Sequence, residues 1–177
     1  MMKLEIGPGP KKISSEWITV GDFERPNVVD HVCLWGKDPL PFNDSTFNYI
    51  YSSHCLEHVP WYQVDFAISE CFRVMKPNGI IEIHVPNLEY LIECYNEKKL
   101  GDTWKKHNNR EHYVSWFASR MISYGPTSSN HHKSCFDYEY LSYLLSKHGF
   151  KYIKSHNKGA AKSYHGNINM GVLAKKP

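Results

Sequence analysis

The sequence predicts an α/β fold, a mainly parallel, doubly wound sheet of seven strands with a shortened first crossover, in one domain spanning residues 1–177. Three observations carry this. From Asn48 to Gly79 a buried strand ends in polar residues, passes into an amphipathic run and a Lys76-Pro77-Asn78-Gly79 turn, and leads to a second apolar strand; this is a βαβ unit. Gly7-Pro8-Gly9-Pro10 follows directly on a short apolar strand. Strand and helix patterns then alternate, the order that builds parallel sheets.

The elements follow in turn. Lys3 to Ile6 is a strand stopped by the Gly-Pro turn, through which no helix can continue. Trp17 to Val20 is the second, closed by Gly21-Asp22, and His31 to Leu34 the third. Only Lys11 to Trp17 separate the glycine turn from strand two, too little chain for a crossover helix. Phe47 to Ser52 is the fourth strand. Between Trp61 and Lys76 the apolar residues Val64, Ala67, Ile68, Cys71, Phe72 and Met75 recur at three and four, one face of a helix. Ile80 to Val85 is the fifth strand, and Asn87 caps a helix over 88–98. Residues 101–124, rich in aromatics and histidine, read as helical. Asp137 is the N-cap of a helix to His148 whose Leu141, Leu144 and Leu145 face the core, and Gly149 ends it. Phe150 to Lys154 and Asn169 to Ala174 are the last strands, joined by a Gly- and Lys-rich loop.

Composition narrows the setting. The start is too short and charged for a signal peptide, and no apolar run approaches the roughly 20 residues that span a membrane. A soluble, cytoplasmic protein with no membrane partner is expected. Cys33, Cys55, Cys71, Cys94 and Cys135 lack CxxC spacing and read as reduced core residues. Residues 1–139 carry 14 basic and 18 acidic side chains, whereas residues 140–177 carry seven lysines and no acid. That basic end is either a solvated surface or a face for an anionic substrate.

In open α/β sheets ligands bind outside the carboxyl ends of the strands. The chemistry is therefore expected over strands one and four, around His54, Glu57 and His58. These stand at i, i+3 and i+4, one face of a helical turn, a spacing that also suits ligands of one metal. Asp22 at the tip of strand two either accepts ribose hydroxyls or caps its turn.

An acid before the first glycine, an acid after strand two, a Leu40-Pro41-Phe42 loop, a strand ending in His54-x-x-Glu57-His58 and the Lys-Pro-x-Gly turn occur in one order. This set resembles the class I S-adenosylmethionine-dependent methyltransferases, specifically the type 11-like group with Leu-Glu-His after strand four, and implies a Rossmann-like fold. The resemblance covers residues 3–92, and loosely 130–150. It implies S-adenosylmethionine as cofactor, with Gly7 and Gly9 passing under its methionine part and Glu5 receiving its ammonium or ordering the turn. Asp22 would hold the ribose. Trp35 would line the adenine or belong to the core, with Asp38 a second candidate for the adenine contact. His54 would touch the cofactor or act as base, with His58 second. His131, His132 and Tyr138 would contact the acceptor. No helix precedes strand one, so a substrate lid is expected within residues 87–135.

The string from Trp17 to Trp61 is similar to small methyltransferases of surface-glycan synthesis, which implies O-methylation of a sugar, glycan or other small polar acceptor. The His-x-x-Glu-His turn, Val85 to Tyr90 and Asn130-His131-His132-Lys133 also resemble magnesium-dependent 2′-O- and phenol O-methyltransferases, some acting on RNA. A divalent metal and a nucleic-acid acceptor stay open as alternatives, and no metal ligand is assigned. Two further readings compete. Tyr95-x-x-x-Lys99 suggests a nicotinamide dehydrogenase, but lacks the strand and serine such enzymes need. The missing crossover helix suggests a degenerate, non-catalytic interaction module.

Overall fold

The structure is a computed structural model that describes residues 1–101, 112–122, 130–157 and 166–177. Seven strands form one sheet: β1 (Lys3–Ile6), β2 (Trp17–Gly21), β3 (His31–Val32), β4 (Phe47–Ser53), β5 (Met75–Pro86), β6 (Lys151–Ser155) and β7 (Asn169–Lys175). Their order is β3-β2-β1-β4-β5-β7-β6. The pairs β1/β2, β2/β3, β1/β4 and β4/β5 are parallel, whereas β7 runs antiparallel to both β5 and β6. The sheet is thus mixed at one edge, where the expectation was only mainly parallel.

Among the described residues four α-helices accompany it: α1 (Val64–Val74), α2 (Leu88–Asn96), α3 (Tyr113–Met121) and α4 (Tyr138–Lys147). α1 and α4 touch each other, α1 lies against β5 and α4 against β6 and β7. Leu4, Ile6, Val20, Ile50, Ile81, Ile83 and Val172 point to them from the strands and form the main core. Asn87 and Asp137 cap α2 and α4 as their positions predict, accepting from the backbone N–H of Tyr90 and Tyr140. Gly149, at φ +97°, closes α4 in a conformation that an L side chain resists. α2 and α3 build a smaller cluster from Leu91, Cys94, Trp116 and Ile168.

Three expectations change. Residues 7–16, 22–30 and 33–46, all described, contain no helix, so three crossovers are shortened rather than one, and the doubly wound description holds only loosely. The first two of these loops are pinned by polar contacts instead, Asp30 accepting from the Thr19 amide at 2.9 Å and pairing with Lys12 at 2.5 Å, and the third packs on α1, where the Leu40 amide donates to Glu70 at 2.8 Å. The Lys76-Pro77-Asn78-Gly79 turn lies inside β5 as an irregularity opposite Phe47 and Tyr49, with Asn78 at φ 66°. β3 has only two residues, because the amide of Leu34 turns to the Asp38 carboxylate. The helix expected over 101–124 is present as α3; residues 102–111 and 123–129 lie outside the described residues, as does 158–165 of the Gly- and Lys-rich loop. Among the described residues no helix is long and apolar enough to cross a membrane.

Candidate active site

β1 and β4 are neighbours from which the chain proceeds in opposite directions across the sheet, and a cleft opens over their carboxyl ends. It has a volume of about 510 Å³ and is bordered by Gly7, Gly9, Asp22, Trp35, His54 and His58. Gly7 and Gly9 sit at φ +74° and +62°. A Cβ on Gly7 would stand 2.6 Å from Cys55 Sγ, so the turn can follow the floor of the cleft only without a side chain. Burial pushes the Cys55 thiol up to about 12, leaving it a packing group rather than a nucleophile.

The other predicted residues distribute unevenly. Glu5 does not border the cleft; it is buried beneath it and accepts from the Ile13 amide at 2.8 Å, so it orders the turn. Trp35 presents part of its ring to the cleft but is mostly core, its Nε1–H donating to the Ala67 carbonyl of α1 at 3.2 Å. Asp38 serves the Leu34 amide. His131 and Tyr138 border neither this cleft nor the second one described below. The cysteine expectation fails at one position: Cys33, Cys71 and Cys94 are buried, but Cys135 is exposed.

His54 is held in the left-handed region at φ 50°, an uncommon conformation for a residue of its size. Its amide donates to the His84 carbonyl at 2.9 Å. Its Nε2 lies 3.2 Å from Asn169 Oδ1, and its Nδ1 3.4 Å from Glu57 Oε1. Behind Asn169 the line continues: Asn169 Nδ2 to His84 Nδ1 at 3.1 Å, His84 Nε2 to Glu82 Oε1 at 2.7 Å, and Tyr49 hydroxyl to Glu82. A carboxylate closes each end, and the single amide between the rings can donate to one of them only. The line is satisfied when one ring donates from both nitrogens.

Glu57 and His58 occupy a single 3-10 turn, Leu56–His58, directly after β4. Glu57 is buried, with Oε2 unpartnered. Its burial pushes the carboxyl up, but His54, His58 and His132 around it more than offset this and hold it below the usual carboxylate range. The chain from 131 to 134 is clamped to the same turn: the amides of Lys133 and Ser134 both donate to the Glu57 carbonyl, at 2.8 and 3.1 Å. This clamp carries His132 to within 4.0 Å of the Glu57 carboxylate and 5.1 Å of the His58 ring, centre to centre.

A second cleft of about 530 Å³ lies beside the first, bordered by Trp61, Leu88, Met121, His132, Asp137 and Tyr140. Lys133 borders both clefts. Trp61, Asp137 and Tyr140 have no recognisable motif, and only their place beside His132 reveals them.

Residues 4–83 match the family described as methyltransferase domain. Over those residues the chain is similar to methyltransferase domains. Solved structures agree in fold. An S-adenosylmethionine-dependent methyltransferase from Archaeoglobus fulgidus superimposes with a TM-score of 0.63 over 99% of this chain and 86% of its own, at 15% identity. One from Methanosarcina mazei gives 0.58 over 99% and 92%, at 19% identity. The 1,6-didemethyltoxoflavin-N1-methyltransferase of Burkholderia thailandensis, with that compound and S-adenosylhomocysteine bound, gives 0.60 over 99% and 70%, at 14% identity. No curated protein matches the chain. These structures of like fold are S-adenosylmethionine-dependent enzymes or hold its product, and S-adenosylmethionine is the cofactor expected here. The residues fit that cofactor: a side-chain-free turn at Gly7 and Gly9, an acid at the tip of β2 and an aromatic wall at Trp35 all border one cleft.

Proposed function

We propose that this methyltransferase domain moves the methyl group of S-adenosylmethionine to a hydroxyl of a sugar, glycan or other small polar acceptor. The observation that carries the reading is the junction at Lys133, where the cleft fitted to the cofactor meets a second cleft with aromatic and polar walls. Exposed Trp61 and the Tyr140 ring offer stacking surfaces, and Asp137 and Lys133 offer polar contacts, a combination suited to a polar ring. Leu88, Met121 and the 132–135 segment form much of the second wall, which supports residues 87–135 as the substrate lid. The five free thiols fit a reducing compartment, the cytoplasm.

The cofactor supplies an activated methyl carbon. The carbon–oxygen bond forms as the sulfur–carbon bond breaks, sulfur leaves as the neutral thioether, and the hydroxyl proton passes to a base. His58 and His132 suit that last step better than His54, whose two nitrogens are taken by Asn169 and Glu57. Orientation in the junction contributes the larger share, up to about 7–11 kcal/mol in favourable systems.

Calorimetric titration with S-adenosylmethionine, followed by transfer of labelled methyl to a panel of sugars, nucleotide sugars, nucleosides and amines, tests this. Transfer to a sugar hydroxyl, with KM raised about tenfold or more in Trp61→Ala, is the expected result. Cofactor binding with transfer only to amines overturns the acceptor; no cofactor binding overturns the enzyme and favours a non-catalytic module.

A further inference from the structure

Glu57, His58 and His132 converge where the two clefts meet, and together they fit a task other than the proton transfer considered above. One ligand-type atom from each of Glu57, His58 and His132 lies within 4.8 Å of the other two. The hydrogen bonds show which imidazole nitrogens keep a lone pair for an ion. His132 Nδ1 lies 2.7 Å from the Arg120 carbonyl and His58 Nδ1 3.2 Å from the His131 carbonyl. A carbonyl only accepts, so each ring carries its hydrogen on Nδ1 and keeps a lone pair on Nε2. A backbone carbonyl behind a ligating imidazole is the usual support of a metal-bound histidine. The third member is a buried carboxylate with one oxygen engaged by His54 and Oε2 without a partner. A bare, buried carboxylate oxygen is costly unless something completes it.

We propose that Glu57, His58 and His132 form a binding site for one divalent transition metal of the zinc class, open toward the junction of the two clefts. This deepens the proposed methyl transfer and rests on it for its role, since the metal's open positions would hold the acceptor hydroxyl there and lower its pKa, a task that takes the place of proton removal by His58 or His132. Two imidazoles and one carboxylate are a nitrogen-rich set, matched to zinc, cobalt, nickel or iron rather than to magnesium, which takes oxygen ligands in a near-ideal octahedron. His54 is not in the set: Asn169 and Glu57 hold its two nitrogens. The site is built before any ion arrives, because the amides of Lys133 and Ser134 tie the His132 segment to the Glu57 carbonyl.

The test is direct binding of metal to the whole chain after treatment with a chelator. Cobalt(II) is titrated while the visible absorption of its complex is followed, zinc by calorimetry, and magnesium in parallel, with His132→Ala, His58→Ala and Glu57→Gln as variants. Circular dichroism verifies that each variant is folded, and the two histidine variants remain informative if the buried Glu57 position does not tolerate change. The expected result is one cobalt per chain, displaced by zinc and not by equimolar magnesium, with affinity at least tenfold weaker in each histidine variant. No cobalt complex, or binding that survives both histidine substitutions, overturns the site. Preferential binding of magnesium overturns the transition-metal assignment. Full methyl transfer by metal-free protein overturns the metal's role and leaves the methyltransferase reading standing, whereas metal binding without any transfer does the reverse.

Discussion

Asn169 Oδ1 lies 3.2 Å from His54 Nε2, so the last strand of the sheet grips a residue at the end of the fourth across the whole of β5. The same side chain reaches His84 at 3.1 Å, and through it Glu82. Replacing Asn169 with leucine removes both partners at once and strands two imidazoles in a buried setting. Chemical denaturation should show a loss of about 1–3 kcal/mol. Methyl transfer should fall further than stability explains, because His54 is no longer held at the cleft. Unchanged activity in the folded variant would mean that the line is only structural.

Gly7→Ala should abolish cofactor binding. The new Cβ meets Cys55 Sγ at 2.6 Å and sits on a backbone with φ +74°. Strain of this kind costs about 1–3 kcal/mol, and relief requires the turn to shift into the cleft. Calorimetry with S-adenosylmethionine should show at least a hundredfold weaker Kd, while Gly9→Ala, with open space around it, should retain more affinity than Gly7→Ala.

Asp22 and Glu5 are both acids beside the glycine turn, and they should separate cleanly. Asp22 borders the cleft, whereas Glu5 holds the Ile13 amide. Asp22→Ala should weaken cofactor binding about tenfold to a hundredfold, the worth of one charge-assisted hydrogen bond or two. Glu5→Gln should change that Kd by no more than about threefold and lower thermal stability instead, a loss of roughly 0.5–1.5 kcal/mol. An equal loss of affinity in both would return Glu5 to the role of cofactor ligand.

Acid sensitivity should trace to Glu70. The Arg73 guanidinium, 2.6 Å away, holds its carboxyl below the usual range against the opposing effect of burial, helped by the Leu40 amide. A folded-state pKa below the unfolded value contributes stability that is complete above the unfolded value, about 4.3, and vanishes as pH falls through the folded one. The difference in unfolding free energy between wild type and Glu70→Gln should therefore be constant near neutral pH and shrink below about pH 4.3. A difference that grew on acidification would refute the assignment.

The β4–α1–β5 unit is legible in the sequence because its periodicities are local: α1 repeats its apolar positions at three and four, and β5 is apolar through Ile80 to Val85. The caps Asn87 and Asp137 are legible for the same reason, since a cap acts on amides three residues away. The direction of β7 is not, because an antiparallel return depends on where a distant segment comes back to the sheet. The paired residues of the site follow the same division. His54, Glu57 and His58 stand out as a motif, and Gly7 and Asp22 as strand ends. Asn169 and His132 meet them only through the fold, 115 residues from His54 and 75 residues from Glu57. One signal does exist for the polar line: Glu82 and His84 alternate within an otherwise apolar strand, which marks one face of β5 as polar and in need of partners.

The helix-free connections among β1, β2, β3 and β4 bear on the order in which the molecule assembles. Parallel strands joined by irregular chain gain no early credit from local helix formation, and loop closure must come before their pairing. β4, α1 and β5 can form as a unit, and β1 to β3 must add onto its edge. Amide exchange should accordingly be slowest in β4 and β5 and faster in β2 and β3. The cofactor cleft is walled by this late-joining edge, so the ligand itself acts as a clasp that completes it, and cofactor binding should slow exchange in β1 and β2 more than in β5.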